Sequence, residues 1–237
     1  MNHSRSAALI LGATIAIGLA MAGYFLSDGL VRLKAAERYV TVKGLAECEV
    51  QADLAIWPIV FTASANSLPK LQEELDAADA TVTAFLAKRG FTAEEIGRSV
   101  PQITDYQAQG YVSDRPPLAR YSARATLTVH TPKVAEVKKA MAESGQLVTA
   151  GVALAQDYGS QPEFSFTGLN AIKPKMIADA TQNARDAASQ FAKDSQSKVG
   201  SIRRATQGLF TITNRDANTP EIKNVRVVTT VDYFLED

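Results

Sequence analysis

The stretch RYSARATLTVH, Arg120 to His130, decides the fold. Tyr121, Ala123, Ala125, Leu127 and Val129 fall on one face of an extended chain. Arg120, Ser122, Arg124, Thr126, Thr128 and His130 fall on the other. Successive side chains of a strand point to opposite faces, so this alternation describes a strand with one face buried and one wet. Parallel sheets carry crossover helices on both faces, so a sheet covered on one side only is antiparallel.

Working outward, Ile96 to Gln109 reads as a strand, joined to the first through the Asp114-Arg115-Pro116-Pro117 loop. Ser67 to Arg89 reads as a helix. Leu68, Leu71, Leu75, Ala78, Val82, Phe85 and Leu86 recur at steps of three and four, Ser67 stands at the N-cap position, and Gly90 marks the stop. Before it, Thr41 to Val50 and Asp53 to Ser64 read as two strands. The short Gln51-Ala52-Asp53 link predicts that these two form a hairpin. Pro58 has no N–H to donate and is expected at an edge or a bulge.

Downstream, Pro132 opens a short helix over residues 133–144, which Gly145 closes. Leu147 to Ala155 and Glu163 to Gly168 are candidate strands. Pro174 is expected to start a long helix that runs to about Lys198, with an alanine-rich stripe through Met176, Ile177, Ala180, Ala184, Ala187, Ala188, Phe191 and Ala192. Small residues on that stripe let the helix lie flat on a sheet. Ser201 to Thr213 and Val225 to Leu235 finish the chain as strands. The order is ββ-α-ββ-α-ββ-α-ββ. Helices between strand pairs predict an α+β class, with antiparallel sheets and packed helices in ββα-type units. Val228 and Phe234 place apolar groups on the polar face of the last strand, which suits a covering layer or a neighbouring subunit.

The other end of the chain decides the compartment. Ala7 to Leu26 is a run of 20 residues without a charge. At about 1.5 Å per residue it spans roughly 30 Å, one bilayer core. Two readings stand: an uncleaved signal anchor, or a signal peptide cut after Ala20-Met21-Ala22. The apolar run continues through Tyr24-Phe25-Leu26 and favours the anchor. Arg32, Lys34 and Arg38 just beyond it weaken the positive-inside rule, but both readings deliver the body outside the cytoplasm. Residues 1–38 are therefore read as anchor and juxtamembrane segment, and residues 39–237 as one exported body.

Composition narrows the function. The 237 residues hold 25 basic and 25 acidic side chains, so the basic excess of a nucleic-acid reader is missing. Apolar residues at 46% supply a core and exclude global disorder. One cysteine, Cys48, excludes an intramolecular disulfide, and its strand-like setting predicts burial. Neither a phosphate-binding glycine loop nor a G-x-S-x-G elbow occurs. His130 has only Glu136 within reach in sequence, and Cys48 has no histidine partner. Glu73/Glu74, Glu94/Glu95 and Glu236/Asp237 are adjacent carboxylates that read as solvated faces and helix ends. Trp57, Tyr106, Tyr111, Phe164 and Phe166 could line a ligand groove, but aromatics on alternating strands are more often core. No catalytic, cofactor-binding or metal-ligating residue is assigned.

Several stretches together resemble the SIMPL-domain family, a domain of unknown function, in its membrane-anchored bacterial branch. Val42-Lys43-Gly44-Leu45-Ala46-Glu47 with Asp53-Leu54-Ala55-Ile56-Trp57 looks like the family's opening strand pair. Gly168-Leu169-Asn170 with Asn183-Ala184-Arg185 and Phe191-Ala192 is similar to its alanine-rich helix. Val199-Gly200 with Ile202 looks like its helix-to-strand turn, and Asn218-Thr219-Pro220 with residues 225–231 like its closing strand. The resemblance spans Tyr39 to Leu235. It implies an α+β body in the periplasm or on the cytoplasmic membrane, a tendency to self-assemble, and a link to envelope or oxidative stress. It carries over no catalytic residues. The expectation is a non-enzymatic, membrane-tethered periplasmic homo-oligomer without a cofactor, with room for an envelope partner. The alternative is a periplasmic module that binds a small ligand, lipid or protein.

Overall fold

The N-terminal apolar run forms helix α1, Asn2–Ala35, and within it Gly12–Leu30 is long and apolar enough to cross a membrane. Its described side chains lie almost entirely exposed, as those of a helix with no protein layer around it. The computed structural model describes residues 2–35, 38–108, 118–155 and 160–236. The Asp114–Pro117 loop, Tyr111 and Asp237 lie outside the described residues.

The body has the expected α+β class, with antiparallel sheets. Its strands are β1 (Tyr39–Gln51), β2 (Leu54–Ala65), β3 (Ile96–Arg98), β4 (Gln102–Asp105) and β5 (Tyr121–Thr131). They continue with β6 (Ala153–Leu154), β7 (Glu163–Ser165), β8 (Lys198–Gln207), β9 (Thr211–Asn214) and β10 (Ile222–Glu236). The helices are α2 (Leu68–Ala87), α3 (Val134–Ala142), α4 (Gly145–Thr149) and α5 (Leu169–Asp194). One sheet has the order β3-β5-β2-β6, with β4 on β5 and β7 on β2. The other has the order β1-β10-β8, with β9 on β10. By its contacts the chain divides into two units, residues 48–172 with 212–225, and residues 1–47 with 173–211 and 226–237.

In the first unit, β5 alternates as expected, with Ala123, Ala125, Leu127 and Val129 buried. It pairs antiparallel with β2 from Ala55/Thr131 to Ala65/Tyr121. Helix α2 covers the inner face with Leu71, Leu75, Val82, Phe85 and Leu86. Gly90 (φ 83°) ends it, with Phe91 N–H donating to Leu86 O and Gly90 N–H to Ala87 O, a paired closure that needs the left-handed conformation. Ser67 is the N-cap residue, but its hydroxyl makes no capping bond. On the outer side of β2, β7 pairs with residues 54–56 and β6 with 61–62, and Pro58 falls in the gap between them.

In the second unit, α5 buries Met176, Ala180, Ala184, Ala188 and Ala192, and Val42, Val231 and Tyr233 pack with its central alanines. A Cβ at Gly44 would stand 1.8 Å from the Ala180 carbonyl oxygen and 2.5 Å from the Ala184 nitrogen, so strand and helix touch backbone to backbone. The expected flat helix on a sheet is thus observed.

Several local expectations fail. β1 and β2 belong to different sheets and form no hairpin. The link between them is held elsewhere: Ala52 N–H donates to Glu221 O (2.8 Å), and Asp53 N–H to Ser165 O (3.0 Å). The Asp53 carboxylate accepts from the N–H groups of Thr167 (2.7 Å) and Gly168 (3.0 Å). That anchored turn also explains why α5 starts at Leu169 and carries Pro174 inside it, rather than starting at Pro174. Residues 147–155 are not one strand. α4 occupies their start, Gly151 turns the chain at φ 91°, and only Ala153–Leu154 pair. Gly145 begins α4 instead of closing a single helix. The 96–109 strand breaks around Pro101, and the 201–213 strand breaks at Gly208–Phe210.

Candidate functional site

The aromatic residues that could have lined a groove are largely core. Trp57 is 6% exposed and Phe164 4%, both within the cluster around β2 and β5. Phe166 is half-buried with its ring edge against Gly168, and Tyr106 is half-buried. A hollow of about 70 Å³ touches Trp57 beside Pro58, Ile59, Leu154 and Ala155. Ligand pockets run to roughly 300 Å³ and more. A wider surface groove of about 510 Å³ lies between α2 and α3, lined by Lys88, Arg89, Glu136, Lys139, Glu143 and Gln146. Its central cation is already engaged. Arg89 donates to Glu143 Oε2 (2.7 and 3.0 Å), to Gln146 Oε1 (2.9 Å) and to Phe85 O (2.9 Å), and its guanidinium lies over the Phe85 ring.

His130 is exposed on β5 opposite Ile56 of β2, and Cys48 is half-buried on β1. Among the described residues, no group of three or more His, Cys, Asp or Glu side chains is placed to hold a metal ion.

Two charged clusters were missed in the sequence. Lys223 is only 7% exposed, and its ammonium donates to Asn214 Oδ1. Burial lowers its pKa, while the Glu163 and Glu221 carboxylates act in the opposite sense. Burial alone would raise the Glu221 carboxyl, but the ion pair with Lys138 holds it below the ordinary value. This cluster and the Ala52–Glu221 bond fasten residues 212–225 onto the first unit, a structural clasp. A signal was present: Lys223, Val225 and Val227 share one strand face by period two, and all three are buried.

The second cluster centres on Glu95, which is not a solvated residue. Its carboxylate accepts from Thr131 Oγ1 (2.5 Å), Thr92 N–H (2.8 Å) and Lys133 Nζ (3.0 Å). The Thr131 hydroxyl, the Thr92 N–H and Lys133 together pull its pKa from 4.5 to about 2. The folded value lies below the unfolded one, so the stabilisation is present above pH 4.5 and is lost as pH falls through 2. Glu95→Gln is expected to cost about 2 kcal/mol at pH 7, the scale of hydrogen bonds to a charged group. Urea titrations of both proteins should show this gap closing between pH 5 and 2. A gap that stays constant across that range would contradict the assignment.

These arrangements orient turns and strands. They bring together no nucleophile with a base and no pair of carboxylates across a cleft. A protein-family model described as SIMPL, protein of unknown function (DUF541), matches residues 40–231. No curated protein matches the chain.

Proposed function

Because the chain belongs to the SIMPL family of unknown function, we propose its role from the molecule itself: a non-catalytic, membrane-tethered protein that acts by contact. Helix α1 is the tether, and the body stands on the periplasmic side. Copies associate through free sheet edges, and the assembly serves envelope integrity or tolerance of oxidative stress.

One observation carries the association. β4 pairs only with β5 among the described residues, and apolar side chains crowd that border of the sheet. Val100 is 88% exposed, Ile103 is 52% exposed, and Leu118 is exposed as well. The two acidic and basic side chains there, Asp105 and Arg120, already pair with each other at 2.9 Å. An edge whose charges are already paired and whose apolar groups are exposed favours self-pairing. Of the alternative, a module that binds a small ligand, lipid or partner protein, the burial of Trp57 and Phe164 disfavours only a groove lined by those aromatics.

Sedimentation of the detergent-solubilised full chain at tens of micromolar should give species larger than the monomer. Val100→Lys with Ile103→Lys should return it to monomer, since two buried charges per edge oppose the contact. A wild-type monomer would remove self-assembly from the account. Fractionation tests the tether: Met1 as the N-terminus in the membrane fraction supports it, and Gly23 in the soluble fraction ends it. Protease added to spheroplasts should digest the body; protection would reverse the proposed side.

A further inference from the structure

We infer that Asp105 positions the edge through which copies of the chain associate: it holds β4 in place as a strand, and without it β4 frays and association is lost. The inference rests on the self-association read from the exposed Val100 and Ile103, and it adds what keeps that edge in shape.

β4 has little apolar burial to hold it. None of its four residues is buried. Ile103 stands in register with Ala123, which is 1% exposed, and directly opposed residues share a sheet face. Ile103 is nevertheless 52% exposed, so the layer that covers Ala123 does not reach it. A segment with few buried apolar contacts opens locally at low cost. The attachment of β4 therefore depends on hydrogen bonds. Ahead of the strand, Ser99 N–H donates to Thr126 O (3.0 Å) and Thr126 N–H to Ser99 Oγ (3.2 Å). Behind it, Tyr106 N–H donates to Arg120 O (3.0 Å), and the other bonds converge on one carboxylate.

That carboxylate is Asp105. Arg120 donates to it through Nε (3.2 and 3.3 Å) and Nη2 (2.9 Å). The N–H groups of Gln107 (2.9 Å) and Ala108 (3.3 Å) donate to its Oδ1, which turns the chain after the strand. Arg120 is itself fixed: its N–H donates to Asn66 Oδ1 (3.1 Å), and its guanidinium lies over the Tyr121 ring at 4.8 Å. An exposed ion pair is commonly worth little. This one is forked, the Asp105 side chain is only 24% exposed, and the same carboxylate holds two main-chain donors. One side chain thus ends β4, turns the chain behind it and ties it to the start of β5.

The test uses the detergent-solubilised full chain. In sedimentation at tens of micromolar, Asp105→Ala should be monomeric. Asp105→Glu keeps a carboxylate in reach of Arg120 and should associate at least about tenfold more tightly than Asp105→Ala. Local order is read apart from association, in the monomeric Val100→Lys, Ile103→Lys variant. Adding Asp105→Ala there should speed hydrogen exchange of the amides of residues 102–106 at least about tenfold. Exchange in α2 and in the rest of β5 should not change, and the melting temperature should stay within about 2 °C. Unchanged exchange at 102–106, or equal dissociation of the Ala and Glu variants, would overturn the inference. So would faster exchange throughout α2 and β5, which would make Asp105 a support of the whole unit and not of its edge. An oligomer that survives Asp105→Ala but not Val100→Lys with Ile103→Lys would sink this inference and leave the proposed function standing. A monomeric wild type would remove both.

Discussion

Gly44→Val is expected to unfold the sheet on which α5 lies. A Cβ at this position would meet the Ala180 carbonyl oxygen at 1.8 Å and the Ala184 nitrogen at 2.5 Å, distances real Cβ atoms do not show. Both obstacles are helix backbone, which cannot rotate aside as the tip of a side chain can. The helix would have to lift from Val42, Val231 and Tyr233, and Asn183 would give up its 2.6 Å bond to Leu45 O. Overpacking costs about 1–3 kcal/mol where side chains can yield, and more where they cannot. Against a typical total of about 5–15 kcal/mol, a loss above about 3 kcal/mol is a large share. Gly44→Ala, with one carbon, should lower the melting temperature by roughly 10 °C, at about 2–4 °C per kcal/mol for a chain of this size. Gly145→Ala is the control, because nothing lies within 4 Å of that site and its backbone takes no positive φ. It should change stability by no more than about 1 kcal/mol. If Gly44→Ala melts within about 2 °C of the parent protein, the strand and helix do not touch as described.

The same contact shows what was legible in the sequence. The alanine stripe of α5 announced a close approach, and Gly44 is the matching gap on β1, yet nothing local to either element names the other. Periodic signals survived folding: the alternation of β5, the stripe of α2, and the apolar run of α1 each depend only on neighbours in sequence. Signals that depended on distant partners did not. The Gln51–Asp53 link looked like a hairpin turn because it is short, but Glu221 and Ser165 take its N–H groups and Asp53 caps the turn at Thr167 and Gly168. Pro174 looked like a helix start by propensity, and that anchored turn outweighed it. Val148 and Thr149 are β-formers by type, yet both lie in a helical turn that buries Leu147. At the candidate sites, adjacency hid the difference within a pair. Glu94 and Glu95 look alike in sequence, and only Glu95 meets Thr131 and Lys133.

Trp57→Ala should lower stability by about 3–5 kcal/mol, the range for removing a large aromatic from a core. The residue is 6% exposed on β2, in register with Val129 of β5, and Val129 is fully buried. Beside it lies a hollow of only about 70 Å³, so the space left by the indole would be new cavity and not an enlarged entrance. With a urea slope of about 2 kcal/mol per molar for a small protein, the unfolding midpoint should fall by roughly 2 M. Far-UV circular dichroism must follow it, since the chain has one tryptophan and the substitution removes it. Trp57→Phe should recover most of the loss, because it restores an aromatic ring to the same place. Phe191→Ala, at a site 57% exposed on α5, should stay within about 0.5 kcal/mol of the parent protein. A groove-lining Trp57 would invert this order. Its truncation would then cost little stability, and the midpoint would fall by no more than it does for Phe191→Ala.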